Sequence, residues 1–273
     1  MIWVKRKPAP PLSDFVEILW YCESNHVPHR MERVLPTGTT ELVVNLNEDV
    51  ARVYDRENLQ QVRRLRGTIL CGPHSQFFVL DTTQQRHVAG VHFKPGGAFA
   101  FFRPPAAEFH NTHVEAEDIW GGASRSLREQ LLEQPSPERV LDVLERWLLS
   151  LAPADRRRHP AVDYALRCFN AAPHVAMVGS VTDRTGFSAR HFIDVFTGQV
   201  GITPKRFCRV RRFQRVLQHI HGGHQVRWTD VAAAGGYSDQ AHFIHDFRSF
   251  SGLTPSDYLA ARTPWLNHVP LND

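Results

Sequence analysis

The spacing of apolar positions changes partway along the chain. In the first part, Val, Phe, Leu and Trp come in short runs closed by Gly, Pro, Asn or Asp, which predicts strands over 18–23, 41–46, 77–80 and 87–93. Helical spacing then takes over. A short helix is expected over 96–102, stopped by Pro104 and Pro105. Ser136 reads as an N-cap with Pro137 at the first helical position. From there Val140, Leu141, Leu144, Trp147, Leu148 and Leu151 share one helix face until Pro153 ends the pattern. Residues 153–160, with Arg156, Arg157 and Arg158 between two prolines, read as a linker.

Beyond the linker the chain repeats itself. Val178, Val181, Gly186, Phe187 and Ser188 match Trp228, Val231, Gly236, Tyr237 and Ser238 at one offset. One inserted residue later, His191, Phe192, Ile193, Phe196, Gly201, Thr203, Pro204 and Phe207 match His242, Phe243, Ile244, Phe247, Gly252, Thr254, Pro255 and Tyr258. Each unit begins with a short helix and then a glycine, the residue that enters the left-handed region without steric penalty. An aromatic and a serine follow, and the serine is placed to cap the next helix. In that helix Phe192 and Phe196, or Phe243 and Phe247, lie four apart and face the core. The opposite stripe carries Arg190, Ile193, Asp194 and Thr197 in the first unit, and Ala241, Ile244, His245 and Arg248 in the second. Helix, tight turn and second helix make a helix-turn-helix. Gly-x-Thr-Pro closes each unit, and after the first unit a helix is expected over 204–220.

Charge adds a direction to this pattern. The net charge is +4, but residues 1–152 hold 17 Lys/Arg against 19 Asp/Glu, whereas the rest holds 15 against 9. The repeat-bearing half is therefore the basic half, as a phosphate-binding module would be. Lys205, Arg206, Arg209, Arg211, Arg212 and Arg215 of the helix expected over 204–220 are available to phosphates or to acidic partners on neighbouring helices, and Lys205, Arg206 and Arg209, with the serines Ser188 and Ser238, are the groups expected at phosphates.

The order Gly-Phe-Ser-x-Arg-His-Phe, Phe-x-x-x-x-Gly-x-Thr-Pro, Gly-Tyr-Ser-Asp-Gln-x-His-Phe and Phe-x-x-x-x-Gly-Leu-Thr-Pro resembles the double helix-turn-helix of AraC/XylS transcription regulators over about residues 160–262. The resemblance implies a monomeric module of about seven helices that binds double-stranded DNA, with base contacts from the second helix of each unit. Carried over, the base readers are Arg190, Ile193, Asp194 and Thr197, then Gln240, Ala241, Ile244, His245 and Arg248. Asp194 departs from the pattern, an acid where basic or neutral residues are usual. Arg33-Val-Leu-Pro-Thr-Gly-Thr-Thr-Glu-Leu-Val and Gly90-Val-His-Phe-Lys-Pro-Gly-Gly resemble an uncharacterised domain found joined to such modules. That implies sensing of a small-molecule effector or dimerisation, and RNA polymerase is a further expected partner. Arg33, Glu41, Asn45 and His92 are the polar groups to examine first for an effector pocket.

The resulting fold class is α+β. A strand-rich sensor-like domain occupies 1–152 and the linker 153–160. An all-α module fills 161–262, with helix-turn-helix units over 178–199 and 228–250, and a tail runs over 263–273. Lys5, Arg6 and Lys7 lead into prolines rather than an apolar stretch, and the apolar runs are short, so neither a signal peptide nor a membrane span is expected. Cys22, Cys71, Cys168 and Cys208 form no C-x-x-C pair, which with the absent leader points to the cytoplasm. His87 and His92 are five apart and fall on opposite faces of a strand, so no metal site is expected there. No cofactor is implied. Without a Gly-x-Ser-x-Gly elbow, phosphate loop or paired-carboxylate motif, the chain does not read as an enzyme. The competing reading is an N-terminal enzyme, or a small-molecule or metal-binding protein, that uses the helical module for an accessory contact.

Overall fold

The computed structural model describes residues 1–25, 29–151, 157–173, 177–222 and 226–271. Residues 153–156 of the expected linker lie outside the described residues. The N-terminal part is two antiparallel sheets. The first has the order β1 (Ile2–Arg6), β2 (Val16–Glu23), β9 (His87–Phe93), β4 (Glu41–Asn45), β7 (Thr68–Cys71), β10 (His113–Glu115). The second runs β11 (His268–Pro270), β3 (Met31–Val34), β8 (Phe78–Asp81), β5 (Ala51–Tyr54), β6 (Val62–Leu65). Expected strands are present, each within a residue or two of its expected bounds. The helix expected over 96–102 is a single 3₁₀ turn, Ala98–Phe101.

Alternation divides the first sheet. Leu19, Leu42, Leu70 and Val91 point to one side and form the main core with the helices that cover it. These are α1 (Ala116–Trp120), α2 (Gly122–Leu132) and α3 (Pro137–Leu151), the last opening at Pro137 and burying Val140, Leu141, Leu144, Trp147 and Leu148 as its periodicity predicts. The other side of the sheet faces the second sheet, where Ile69 and Cys71 meet Leu65 and Val53. Across that side His92, Glu41, Cys71 and His113 stand in register on four neighbouring strands.

The helical part comprises α4 (Pro160–Ala171), α5 (Val178–Asp183), α6 (Ala189–Val200), α7 (Pro204–His221), α8 (Trp228–Ala234), α9 (Gln240–Ser251) and α10 (Pro255–Ala261). It does not end in a loose tail. Residues after α10 return to the second sheet, where β11 pairs with β3 and places Val269 opposite Arg33. Val269 and Leu35 are each 1% exposed and complete the core of the second helix-turn-helix unit. Leu35 donates its N–H to the Asn267 carbonyl at 2.8 Å, and the Gln214 amide of α7 donates to the carbonyl of Pro36 at 2.8 Å. Trp265 meets Trp3 at 5.0 Å between ring centroids. The two parts therefore share packed interior as well as a covalent link.

An acid sits under this strap. The Glu32 carboxylate, buried, contacts His268 Nδ1 at 2.7 Å and His29 Nε2 at 3.2 Å. Burial pushes the Glu32 carboxyl up, but the imidazoles of His268 and His29 outweigh it and hold the carboxyl below its ordinary 4.5. Burial lowers His268, and its hydrogen bond and charge attraction to Glu32, with Glu41 further off, raise it above 6.5. The lowered carboxyl stabilises fully above 4.5 and loses its effect as pH falls; the raised imidazole stabilises fully below 6.5 and loses its effect as pH rises. Docking of the strap is expected to be firmest between pH 4.5 and 6.5, read as the pH dependence of the thermal midpoint and flattened in Glu32→Gln. Ending the chain at residue 262 is expected to cost about 2–3 kcal/mol, since burial of Val269 alone is worth roughly that much. An unchanged midpoint would show the strap to be idle.

Candidate nucleic-acid interface

Each unit is built by local rules. In the first, Gly186 leaves α5 with φ +74° and Ser188 caps α6, accepting from the His191 N–H at 3.3 Å. In the second, Gly236 has φ +70°, but the cap of α9 is Asp239, which accepts from the His242 N–H at 2.7 Å. Ser238, expected to cap, instead donates its hydroxyl to Asp239 at 3.0 Å. The reason is the inserted residue: it moves the cap one position along, and a carboxylate there caps as well as a serine does. Phe192, Phe196, Phe243 and Phe247 are fully buried, so the phase of both second helices is as the repeat implies.

That phase exposes the opposite stripe. Arg190, Ile193 and Asp194 project from α6 and Gln240, Ala241, His245 and Arg248 from α9. Ile193, an aliphatic side chain, is 39% exposed on this stripe. Thr197 and Ile244 are half-buried at the margins of their stripes, and the Thr197 hydroxyl has no hydrogen-bond partner among the described residues. Ala241, Ile244, His245, Arg248 and Ser249 line one shallow concavity. Among the described residues no ion pair joins Arg190 to Asp194, so that arginine is not held by its neighbour.

The basic helix between the units divides by face. Thr203 caps α7 and Pro204 starts it, as the Gly-x-Thr-Pro signal predicts. Lys205 and Arg206 are exposed beside Ser188's unit. Arg209, expected at a phosphate, is committed inward: its Nη2 lies 2.6 Å from Asp246 of α9, and its guanidinium covers Phe250 at 5.4 Å. Arg212 approaches the same carboxylate at 3.8 Å and covers Tyr237 at 5.0 Å. Arg215 donates to the carbonyls of Asn170 and Ala171. Asp246, 2% exposed, escaped the sequence analysis because its counterpart in the first unit is Val195, so the repeat carried no sign of it.

The polar groups singled out in the sheets separate likewise. Glu41 and His92 come together, Oε1 to Nδ1 at 3.7 Å, with the Thr39 hydroxyl 3.1 Å from His92 Nε2. Burial lowers His92, and Glu41 and Glu17 raise it against Arg211 of α7, the net result being above 6.5. Asn45 is not part of this group: it braces a turn, donating to the Val50 carbonyl at 2.9 Å and accepting from the amides of Asn47 and Glu48. Arg33 is elsewhere too. It lies over Phe77 at 5.7 Å on the face of β3 that carries Leu35, and its charge is destabilised by burial.

Breaking the Asp246 pair is expected to loosen the second unit. Asp246→Ala should cost on the order of 2–3 kcal/mol by leaving two arginines facing a void, less than a fully buried pair because Arg209 is partly solvated. Arg190→Ala and Arg248→Ala should leave stability within about 0.5 kcal/mol of the parent, read from the thermal midpoint. Equal losses from all three would show that the helix phase is misassigned.

Comparison with known proteins follows the same division. Residues 181–261 match a helix-turn-helix domain family, and residues 4–115 match a domain of unknown function (DUF6597). Among solved structures, ToxT from Vibrio cholerae is 9% identical and covers 94% of this chain and 98% of its own, with a TM-score of 0.49. The unsaturated fatty acid-bound ToxT of V. cholerae strain SCE256 is 10% identical, covers 96% of each chain and has a TM-score of 0.49. The C-terminal domain of AraT, a response regulator from Geobacillus stearothermophilus, is 18% identical and covers 40% of this chain and 90% of its own, with a TM-score of 0.37. Curated proteins gave no match. The tandem motif that resembles AraC/XylS regulators thus falls where the chain matches a helix-turn-helix domain family, behind a domain of unknown function.

Proposed function

We propose that this chain is a sequence-specific regulator of transcription that reads two neighbouring segments of duplex DNA with α6 and α9. The observation that carries this reading is the pair of outward stripes on two helices of equal length, each capped, phased by buried phenylalanines and braced on one basic helix. In it, Arg190, Ile193 and Asp194, and Gln240, Ala241, His245 and Arg248, meet base edges. Thr197 and Ile244 act at the margins, and Ser188, Ser238, Lys205 and Arg206 hold phosphates. Arg209 serves by orienting α9 through Asp246 rather than by touching DNA. The exposed acid Asp194 would be repelled by phosphates, so its use is selective: it accepts from a cytosine amino group and excludes other bases.

The sheets supply the regulatory half of the proposal. Glu41 and His92 form a half-buried polar pair within electrostatic reach of Arg211 on α7. An effector bound at that pair changes the seat of the linker helix, and hence the state that binds DNA, in proportion to its preference for one state over the other. A second copy of the chain and RNA polymerase are the partners through which such a change would reach a promoter. None of the described helices is long and apolar enough to cross a membrane.

Selection of bound sequences from random duplex DNA tests the reading. A defined two-part motif is expected, with affinity falling steeply as salt rises. Arg248→Ala should lose about 1–3 kcal/mol at one base position, whereas Arg206→Ala should weaken all sequences alike. Asp194→Ala should strengthen binding to unrelated DNA and flatten the preference at one or two positions of the first half. An unchanged motif in Asp194→Ala would remove the first helix from the set of base readers, and failure of the parent chain to select any motif would end the proposal.

A further inference from the structure

The two reading helices end in the same way and against the same loop. Gly201 and Gly252 occupy equivalent places in the repeat and cap α6 and α9 with φ +89° and +71°. A Cβ on Gly201 would fall 2.3 Å from Pro73 Cγ, and one on Gly252 would fall 2.6 Å from the ring of Phe77. Both contacts are made by the connection between β7 and β8, and the Phe77 N–H also donates to the Phe250 carbonyl of α9 at 3.0 Å. One loop thus touches corresponding points of both units.

The loop is stiff. Its Gly72 N–H donates to the Thr112 carbonyl at 2.9 Å, and the Asn111 side chain accepts from the Ser75 N–H at 2.7 Å. The Ser75 hydroxyl lies 2.9 Å from His110 Nε2. The buried ring of His74 packs on Phe78 and His113 at 4.5 and 4.7 Å. From Pro73 to Phe77 the backbone can reach at most about 14 Å. A loop this short and this well anchored cannot follow if one unit swings away.

Resting on the reading of both units as DNA readers, we propose that the loop from Gly72 to Phe77 is a spacer that sets the separation of the two reading helices. Pro73 and Phe77 are then positioning residues for DNA recognition, and the spacing of the two half-motifs is a property of the N-terminal sheets as well as of α7. Joined modules gain affinity only when the geometry lets both engage at once, so the spacer acts on the product of the two halves and not on either alone.

Full-length Phe77→Ala and a chain with two glycines inserted after the exposed Gln76 test this. Both are put through selection from random duplex DNA, followed by binding to the parent site and to each half-motif alone. The parent should select one fixed spacing. Both variants should keep the base preferences of each half, accept altered spacings and bind the parent site about 10- to 100-fold more weakly, with half-motif affinity unchanged. A single unaltered spacing at parent affinity in the insertion variant would overturn the proposal, as would a parent chain that selects only one half-motif. If Phe77→Ala loses half-motif binding together with its thermal transition, the insertion variant decides. Absence of any DNA selection by the parent is the separate failure of the functional reading itself.

Discussion

A carboxylate removed from water fixes the orientation of α9 against α7. Asp246 is 2% exposed, and its charge is tolerable there only because Arg209 and Arg212, on one face of α7, point at it. That requirement sets the phase of α9 against α7, turns Phe243, Phe247 and Phe250 into the core and leaves Gln240, Ala241, His245 and Arg248 outside. It also decides how a basic helix is used: the arginines drawn to Asp246 pack on Tyr237 and Phe250 and become structural, while Lys205 and Arg206, one turn earlier, stay in solvent. Among the described residues the first unit has no such pair. Its helix is held by Phe192 and Phe196 and by the seat of Gly201 on Pro73.

The N-terminal sheets bear on the helical module at several points of different chemistry. Leu35 enters the second unit's core, Gln214 is satisfied by the Pro36 carbonyl, and β11 crosses back to pair with β3. Hydrophobic burial, a buried amide and a strand ladder fail under different conditions, so the contact is not one that a single weak perturbation would open. In the proposed function, a change in the sheets reaches the helical module by shifting this packed interface, and the polar pair Glu41–His92 lies within electrostatic reach of Arg211.

The helical half was legible because its signals are local and duplicated: the Thr-Pro starts, the left-handed glycines and the paired phenylalanines each dictate a dihedral or a face. The sheets were read only in part. The strand over Ile2–Arg6 carries two basic residues, Val62–Leu65 is a mostly exposed edge, and Thr68–Cys71, buried on both faces, is too short to show a period. His268–Pro270 ends in proline, tolerated because it lies at the sheet edge. In the site, the exposed stripes followed from periodicity alone. What periodicity could not show was tertiary: the recruitment of Arg209 by Asp246, the use of Asn45 in a turn and the separation of Arg33 from Glu41 and His92 all depend on residues distant in sequence.

Hydroxyl-radical footprinting of the full chain on its selected duplex bears most directly on the central claim that two helices read one face of DNA. The account predicts two protected stretches, about one helical turn or 10 base pairs apart and on the same face, with Arg190→Ala weakening one stretch and Arg248→Ala the other. A single continuous footprint affected equally by both substitutions would contradict it.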